Sequence, residues 1–298
     1  MRFLVIFVLA FSPGILWLWL IYKRDKYRPE PRALVIRTFL WGAVVAIPVA
    51  IFESLINPGT LETPQVHQLS ILNILYISFI VAGFSEELGK YLVVKKTIYG
   101  SPYFDEPMDG IVYSSAAALG FASLENFGYL LSFGWEAILL RGPFSTLGHV
   151  FFSAMWGYAL GLHKAGRLRS KAFVYTGLII SMGAHGLFDF FLFLQSNSSI
   201  FVIPFFIAIG ILFLGMLRHA SRISPYKGKV GEMLVPCPAC GAGVASYAGY
   251  CTACGSEFPA AGEINDGLCS KCGTTLGKNS EFCTACGSRI TKKYEGRE

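Results

Sequence analysis

Cysteine is absent from the first 236 positions, and all eight cysteines of this 298-residue chain lie in what remains. A disulfide framework for the main body is thereby excluded. Charge is also scarce. Asp, Glu, Lys and Arg together make up 15% of the chain, where a soluble domain of this length carries about a quarter. Two stretches, Asn57–Ser70 and Gln195–Ser199, have no Lys or Arg at all. No internal repeat runs through the first 220 residues, an absence that weighs against many transporter folds. What replaces the missing charge is apolar: 53% hydrophobic residues and a mean hydropathy of +0.51.

A hydrocarbon core of ~30 Å requires about 20 predominantly apolar residues per helix. Seven stretches approach that length: Phe3–Tyr22, Leu34–Ile56, Leu69–Val94, Gly110–Phe133, Phe144–His163, Phe173–Leu194 and Ile200–Leu217. The fold class expected is therefore an all-α polytopic membrane protein. The first run has no small-x-small cleavage site before Lys23 and is read as a helix, not a signal peptide. Basic residues fill alternate connections: Lys23 to Arg32, Lys95 and Lys96, Lys164 to Lys171, and Arg218 to Lys229. The connection between the fourth and fifth runs has only Arg141. The positive-inside rule then places the N-terminus outside and the C-terminus in the cytoplasm. Anionic lipid facing these loops accounts for the net charge of +6 without nucleic acid.

Ionisable groups inside such spans are costly and mark functional sites by default. The third run holds Glu86, Glu87 and Lys90, the fourth Glu125 and Asn126, the fifth His149, and the sixth His185 and Asp189. Glu86 and Lys90 are i,i+4 and share a helix face. His185 and Asp189 are also i,i+4, so Asp189 can orient the imidazole. Each pair taken alone can be structural: a buried ion pair, or a satisfied core histidine. Ser153 reads as interhelical glue and Glu53 as interfacial. Three glutamates, two histidines and an aspartate on four successive helices amount to a toolkit for activating water.

Glu86-Glu87-x-x-Lys90, Phe121-x-x-x-Glu125-Asn126, a helix with His149, and His185-x-x-x-Asp189 resemble, in order, the motifs of the PrsW family of intramembrane proteases. The likeness to the CAAX prenyl protease group is more distant. The resemblance covers about residues 1–220 and implies hydrolysis of a membrane-anchored protein, such as an anti-sigma factor, near its extracytoplasmic side. It implies catalytic roles for Glu86, Glu87, Glu125, His149 and His185, supported by Lys90, Asn126 and Asp189. The mechanism expected is water activated by a glutamate acting as base without metal, as the prenyl proteases favour; a catalytic zinc is the alternative. One depth problem remains. Counted from Leu69, Glu86 falls in the inner half of the bilayer while Glu125, His149 and His185 fall in the outer half. A later start of the third span, or a tilt, closes the gap. Other classes compete with the protease: a proton-coupled or metal-ion transporter, and an inactive sensor or scaffold.

Residues 221–234 read as a linker to the cysteines. Cys237, Cys240, Cys251 and Cys254 repeat the spacing of Cys269, Cys272, Cys283 and Cys286, each set being Cys-x2-Cys-x10-Cys-x2-Cys. Two Cys-x2-Cys turns present four thiolates to one tetrahedral zinc. The expectation is two zinc ribbons, at 235–258 and 265–290, each with one structural zinc. They serve as a docking module for an unidentified cytoplasmic partner. Their few aromatics give little support for nucleic-acid binding.

Overall fold

The computed structural model describes residues 2–57, 70–194, 199–227, 234–237, 239–245, 250–256, 264–265 and 268–269. They form two compact units: Met1–Lys26 with Leu34–Pro225, and Tyr27–Ala33 with Tyr226–Glu298.

The first unit is a helical bundle. Its helices are α1 (Arg2–Tyr22), α2 (Arg32–Ile56), α3 (Ile71–Leu75), α4 (Ser85–Thr97), α5 (Pro107–Phe133), α6 (Glu136–Leu140), α7 (Thr146–Lys164), α8 (Ala172–Phe193) and α9 (Ser199–Ile223). A π-helical stretch, Tyr76–Phe84, joins α3 to α4, so Ile71–Thr97 runs as one segment. A second π turn, Arg141–Ser145, leads into α7. Among the described residues, five segments are long and apolar enough to cross a membrane: Phe3–Tyr22, Arg32–Ile56, Ile71–Thr97, Ala172–Phe193 and Ile200–Ile223. They hold five of the seven apolar runs.

The two remaining long helices, α5 and α7, form the middle of the bundle. The first half of α5, from Pro107 to Ser123, is buried without a break. Its Ala, Ser and Gly residues lower its hydropathy and let neighbours approach closely, as small residues do between membrane helices. A Cβ at Gly110 would lie 2.0 Å from the Gly157 carbonyl of α7. Pro107 at the first turn and reciprocal Glu106/Asp109 capping start α5, with the Asp109 carboxylate accepting from the Asp105 and Glu106 amides at 2.7 Å. The lipid-facing helices show the opposite pattern. Phe3, Ile15, Ile36, Leu55, Ile179 and Ile211 are all more than half exposed, which an aqueous monomer would not tolerate on this scale.

In the second unit β1 (Leu234–Pro236) pairs antiparallel with β2 (Gly243–Ala245), and β3 (Ile264–Asn265) with β4 (Leu268–Cys269). The first ribbon packs on 27–33 within the same unit. The Tyr250 hydroxyl donates to Glu30 at 3.2 Å. The Arg28 guanidinium stands 4.6 Å from the Tyr250 ring and 4.7 Å from that of Tyr226.

Candidate active site

A close backbone approach builds the site. Gly83 of the π stretch and Gly186 of α8 let those segments touch: a Cβ on Gly186 would sit 2.8 Å from the Phe79 Cα. The π register winds more residues into each turn than an α-helix and so climbs less per residue. Glu86 therefore lies nearer the start of its segment than an α-helical count predicts. Glu86 meets His149 and His185.

Glu87 is the most enclosed group. Ser153, Trp156 and Ser181 donate to its Oε2 at 2.8, 3.0 and 2.9 Å. Lys90 donates to its Oε1 at 2.9 Å, and His185 Nδ1 lies 3.2 Å from the same oxygen. Five partners saturate a carboxylate with roughly four lone-pair sites. Glu86 keeps fewer: Lys90 Nζ at 2.9 Å, with His149 Nδ1 at 3.5 Å and His185 Nε2 at 3.8 Å from its Oε2.

The two imidazoles are oriented from behind. His149 Nε2 lies 3.1 Å from Glu125 Oε2, and its Nδ1 lies 2.8 Å from Lys90 Nζ. His185 has Glu87 on Nδ1, while Asp189 stands 3.5 Å from its Nε2. The ring of Phe152 stacks on His185 with centroids 4.9 Å apart. Glu125 pairs with Arg141 at 2.7 Å, Arg141 Nε donates to Asn126 Oδ1 at 3.0 Å, and Asn126 donates to Thr146 at 2.9 Å. The open side of the cluster is marked by Glu125 and Asp189, whose side chains are 24% and 17% exposed. Glu87 and Lys90 are fully buried.

All eight membrane residues singled out in the sequence thus belong to one connected cluster. Ligand atoms of Glu86, His149 and His185 lie within 4.8 Å of one another, as do the thiols of Cys237, Cys240, Cys251 and Cys254. The Cys237–Cys254 and Cys240–Cys251 sulfur separations, 3.7 and 3.6 Å, match the ~3.8 Å edge of a tetrahedron with ~2.3 Å zinc–sulfur bonds. Gly241 and Gly255, at φ +75° and +78°, close the two Cys-x2-Cys turns. Hydrogen bonds from Ser256, first from its hydroxyl, hold the Cys254 thiol below the usual thiol range. Cys272, Cys283 and Cys286 and the side chain of Cys269 lie outside the described residues.

A family profile described as PrsW family intramembrane metalloprotease matches residues 30–215. The chain belongs to the PrsW family. Protease PrsW of Bacillus subtilis is 32% identical over 215 residues, covering 72% of this chain and 94% of that protein. Protease PrsW of Geobacillus kaustophilus is 30% identical over 216 residues, covering 72% and 90%. A double zinc ribbon profile matches residues 237–290. No solved structure matches. This PrsW chain is an intramembrane protease of the multi-pass type with a double zinc ribbon at its C-terminal end.

Several members of the PrsW cluster escaped the sequence reading. Arg141 reads in the sequence only as a loop charge, yet it joins Glu125 to Asn126. Ser153 donates to Glu87, and so do Trp156 and Ser181. Glu53 accepts from Ser85, the neighbour of Glu86, at 2.7 Å. One signal was available. Ser153 and Trp156 are i,i+3, and Ser181 and His185 are i,i+4, so each pair shares one helix face. Nothing in the spacing points to Arg141.

Proposed function

We propose that this chain hydrolyses a peptide bond in a membrane-anchored protein, of the anti-sigma-factor type, at the Glu86–His149–His185 cluster. One observation carries the reading: each imidazole has a carboxylate on one nitrogen and its other nitrogen within 3.8 Å of the same oxygen of Glu86. Carboxylate-backed histidines of this kind are the usual surroundings of a bound metal. Glu86, His149 and His185 therefore fit a divalent metal, which would lower the pKa of its water and polarise the scissile carbonyl.

The protein groups supply the rest. Glu87 and Glu125 fix the imidazole tautomers. Lys90 balances the two glutamates. Asp189 accepts no hydrogen bond among the described residues and lies on the open side, so it is the carboxylate free to take a proton from water and return it to the leaving amine. Alternation of basic loops supports an outside N-terminus and cytoplasmic ribbons. The repeated Cys-x2-Cys-x10-Cys-x2-Cys spacing supports one structural zinc per ribbon. The family likeness supports cleavage near the extracytoplasmic side.

Reconstituted vesicles containing a single-span test protein provide the assay. Glu86→Gln and Asp189→Asn should insert normally and cut at least ~10²-fold more slowly. Glu87→Gln should insert poorly, because it turns an amide donor toward three donors. Wild-type rates in all three would sink the protease assignment of this cluster. Chelation should stop a Cys237→Ser/Cys269→Ser variant as completely as wild type. Continued cutting there would leave Glu86 as a metal-free base.

A further inference from the structure

Adding water to a peptide bond puts negative charge on the carbonyl oxygen, and a donor placed beforehand lowers that barrier. Most donors of the cluster are already engaged. Lys90 spends its three N–H bonds on Glu86, Glu87 and His149. Ser153, Trp156 and Ser181 all serve Glu87, and Asn126 serves Thr146. Every imidazole nitrogen faces a carboxylate.

Tyr129 on α5 differs from all of these. It stands four residues after Glu125 and shares its helix face. Side chains on a helix lean toward its N-terminal end, so the Tyr129 ring covers the turn that carries Glu125. Two contacts hold it. The Arg141 guanidinium, paired with Glu125 at 2.7 Å, lies 3.7 Å from the ring centroid, and the Phe133 ring centroid is 5.5 Å away. Glu125 in turn lies 3.1 Å from His149 Nε2. The charges of Glu125, Arg141, Asp189 and Glu86, carried by three helices and the second π turn, all reach the phenol. Glu125 and Asp189 mark the open side of the cluster, so a phenol within reach of both lies at that opening. Among the described residues its hydroxyl makes no hydrogen bond, and it is not sealed off. A hydroxyl held among charges without a partner costs free energy until one arrives.

We propose that Tyr129 is a further catalytic residue, whose hydroxyl donates a hydrogen bond to the scissile carbonyl oxygen as the tetrahedral intermediate forms. The inference rests on the hydrolysis proposed above for the Glu86–His149–His185 cluster. As the water oxygen bonds to the carbonyl carbon, the C=O electron pair moves onto oxygen and the phenol hydrogen bond strengthens, the proton staying on Tyr129. The proton lost by water passes to Asp189 and from there to the leaving nitrogen. When the C–N bond breaks, the carbonyl re-forms and releases the phenol.

The test uses the full chain in vesicles with the single-span test protein, and measures kcat and KM separately. Tyr129→Phe keeps the ring and its Arg141 stack and deletes only the hydroxyl. It should melt with wild type, keep KM within about threefold and lose about 10²-fold in kcat, the cost of one oxyanion donor. Tyr175→Phe removes a phenol from a residue of α8 that is 54% exposed and should cut at the wild-type rate. Glu86→Gln, run alongside, separates two failures. If Glu86→Gln is inactive while Tyr129→Phe keeps the wild-type kcat, the inference falls and the site stands. A raised KM with unchanged kcat in Tyr129→Phe also overturns it, since the hydroxyl would then hold substrate and transition state equally. Wild-type cutting by Glu86→Gln sinks the site itself and this inference with it.

Discussion

Glu86 and Glu87 are chain neighbours with different surroundings. Glu87 looks inward between α4, α7 and α8 and has every lone pair engaged, so it acts as a fixed anchor. Glu86 faces the imidazoles and keeps room to change partners. The residue pattern Glu-Glu-x-x-Lys could not assign these parts, because the donors that distinguish them come from 66 to 98 positions away. Arg141 is the other residue that only contact reveals. Its guanidinium reaches the Glu125 carboxylate and the Asn126 amide oxygen at once, and lies 3.7 Å from the Tyr129 ring. A lysine ammonium is a point donor and cannot span both partners. Arg141→Lys should therefore insert and fold, while cleavage falls roughly 10–100-fold, the usual cost of losing an outer partner of a site histidine. Unchanged cleavage by purified Arg141→Lys in vesicles would show that Glu125 needs no such support.

At the scale of elements, the π stretch Tyr76–Phe84 and its contact with α8 decide where the glutamates stand. Sequence reading placed an apolar run there, and its helical character holds, with the segment starting at Ile71. The change of winding was not legible, since Tyr76–Phe84 has no proline or polar residue beyond Ser78 to signal it. It forms where Gly83 and Gly186 allow backbone contact with α8. A methyl at Gly186 meets Phe79 on both its Cα and its ring, at 2.8 and 2.6 Å. Gly186→Ala should lower the stability of the bundle by about 1–3 kcal/mol through overpacking, and cleavage should fall because His185 is the adjacent residue. Thermal unfolding in detergent beside a cleavage assay measures both. An alanine variant with wild-type melting and rate would mean that the contact is slack.

At the scale of the whole molecule, the chain carries two kinds of stability. The bundle buries small residues against one another in lipid, where packing and hydrogen bonds replace the hydrophobic drive. Ribbons of this length are too small to bury a core, so metal is expected to hold them. In the second unit the first ribbon also covers Glu30, which is 1% exposed and accepts from Tyr250. Removing zinc should therefore loosen 27–33 as well as the ribbon. Hydrogen exchange on the intact protein should show amides of 27–33 exchanging faster after chelation, and Tyr250→Phe should produce part of that change with zinc still bound. Protection of 27–33 that ignores chelator would mean that the segment is held without the ribbon.

The membrane character, the order of the apolar runs and the metal-binding tail were determined by the sequence alone, because hydropathy and cysteine spacing are local and strictly periodic. The eight ionisable or amide residues of the cluster were legible for a related reason: in hydrocarbon a polar group without a purpose is too costly to keep. Which oxygen faces which nitrogen was decided only in the tertiary structure. So were the saturation of Glu87 and the reach of Arg141. Each depends on helices distant in the chain meeting at a distance set by single glycines, and one-dimensional spacing has no access to that distance.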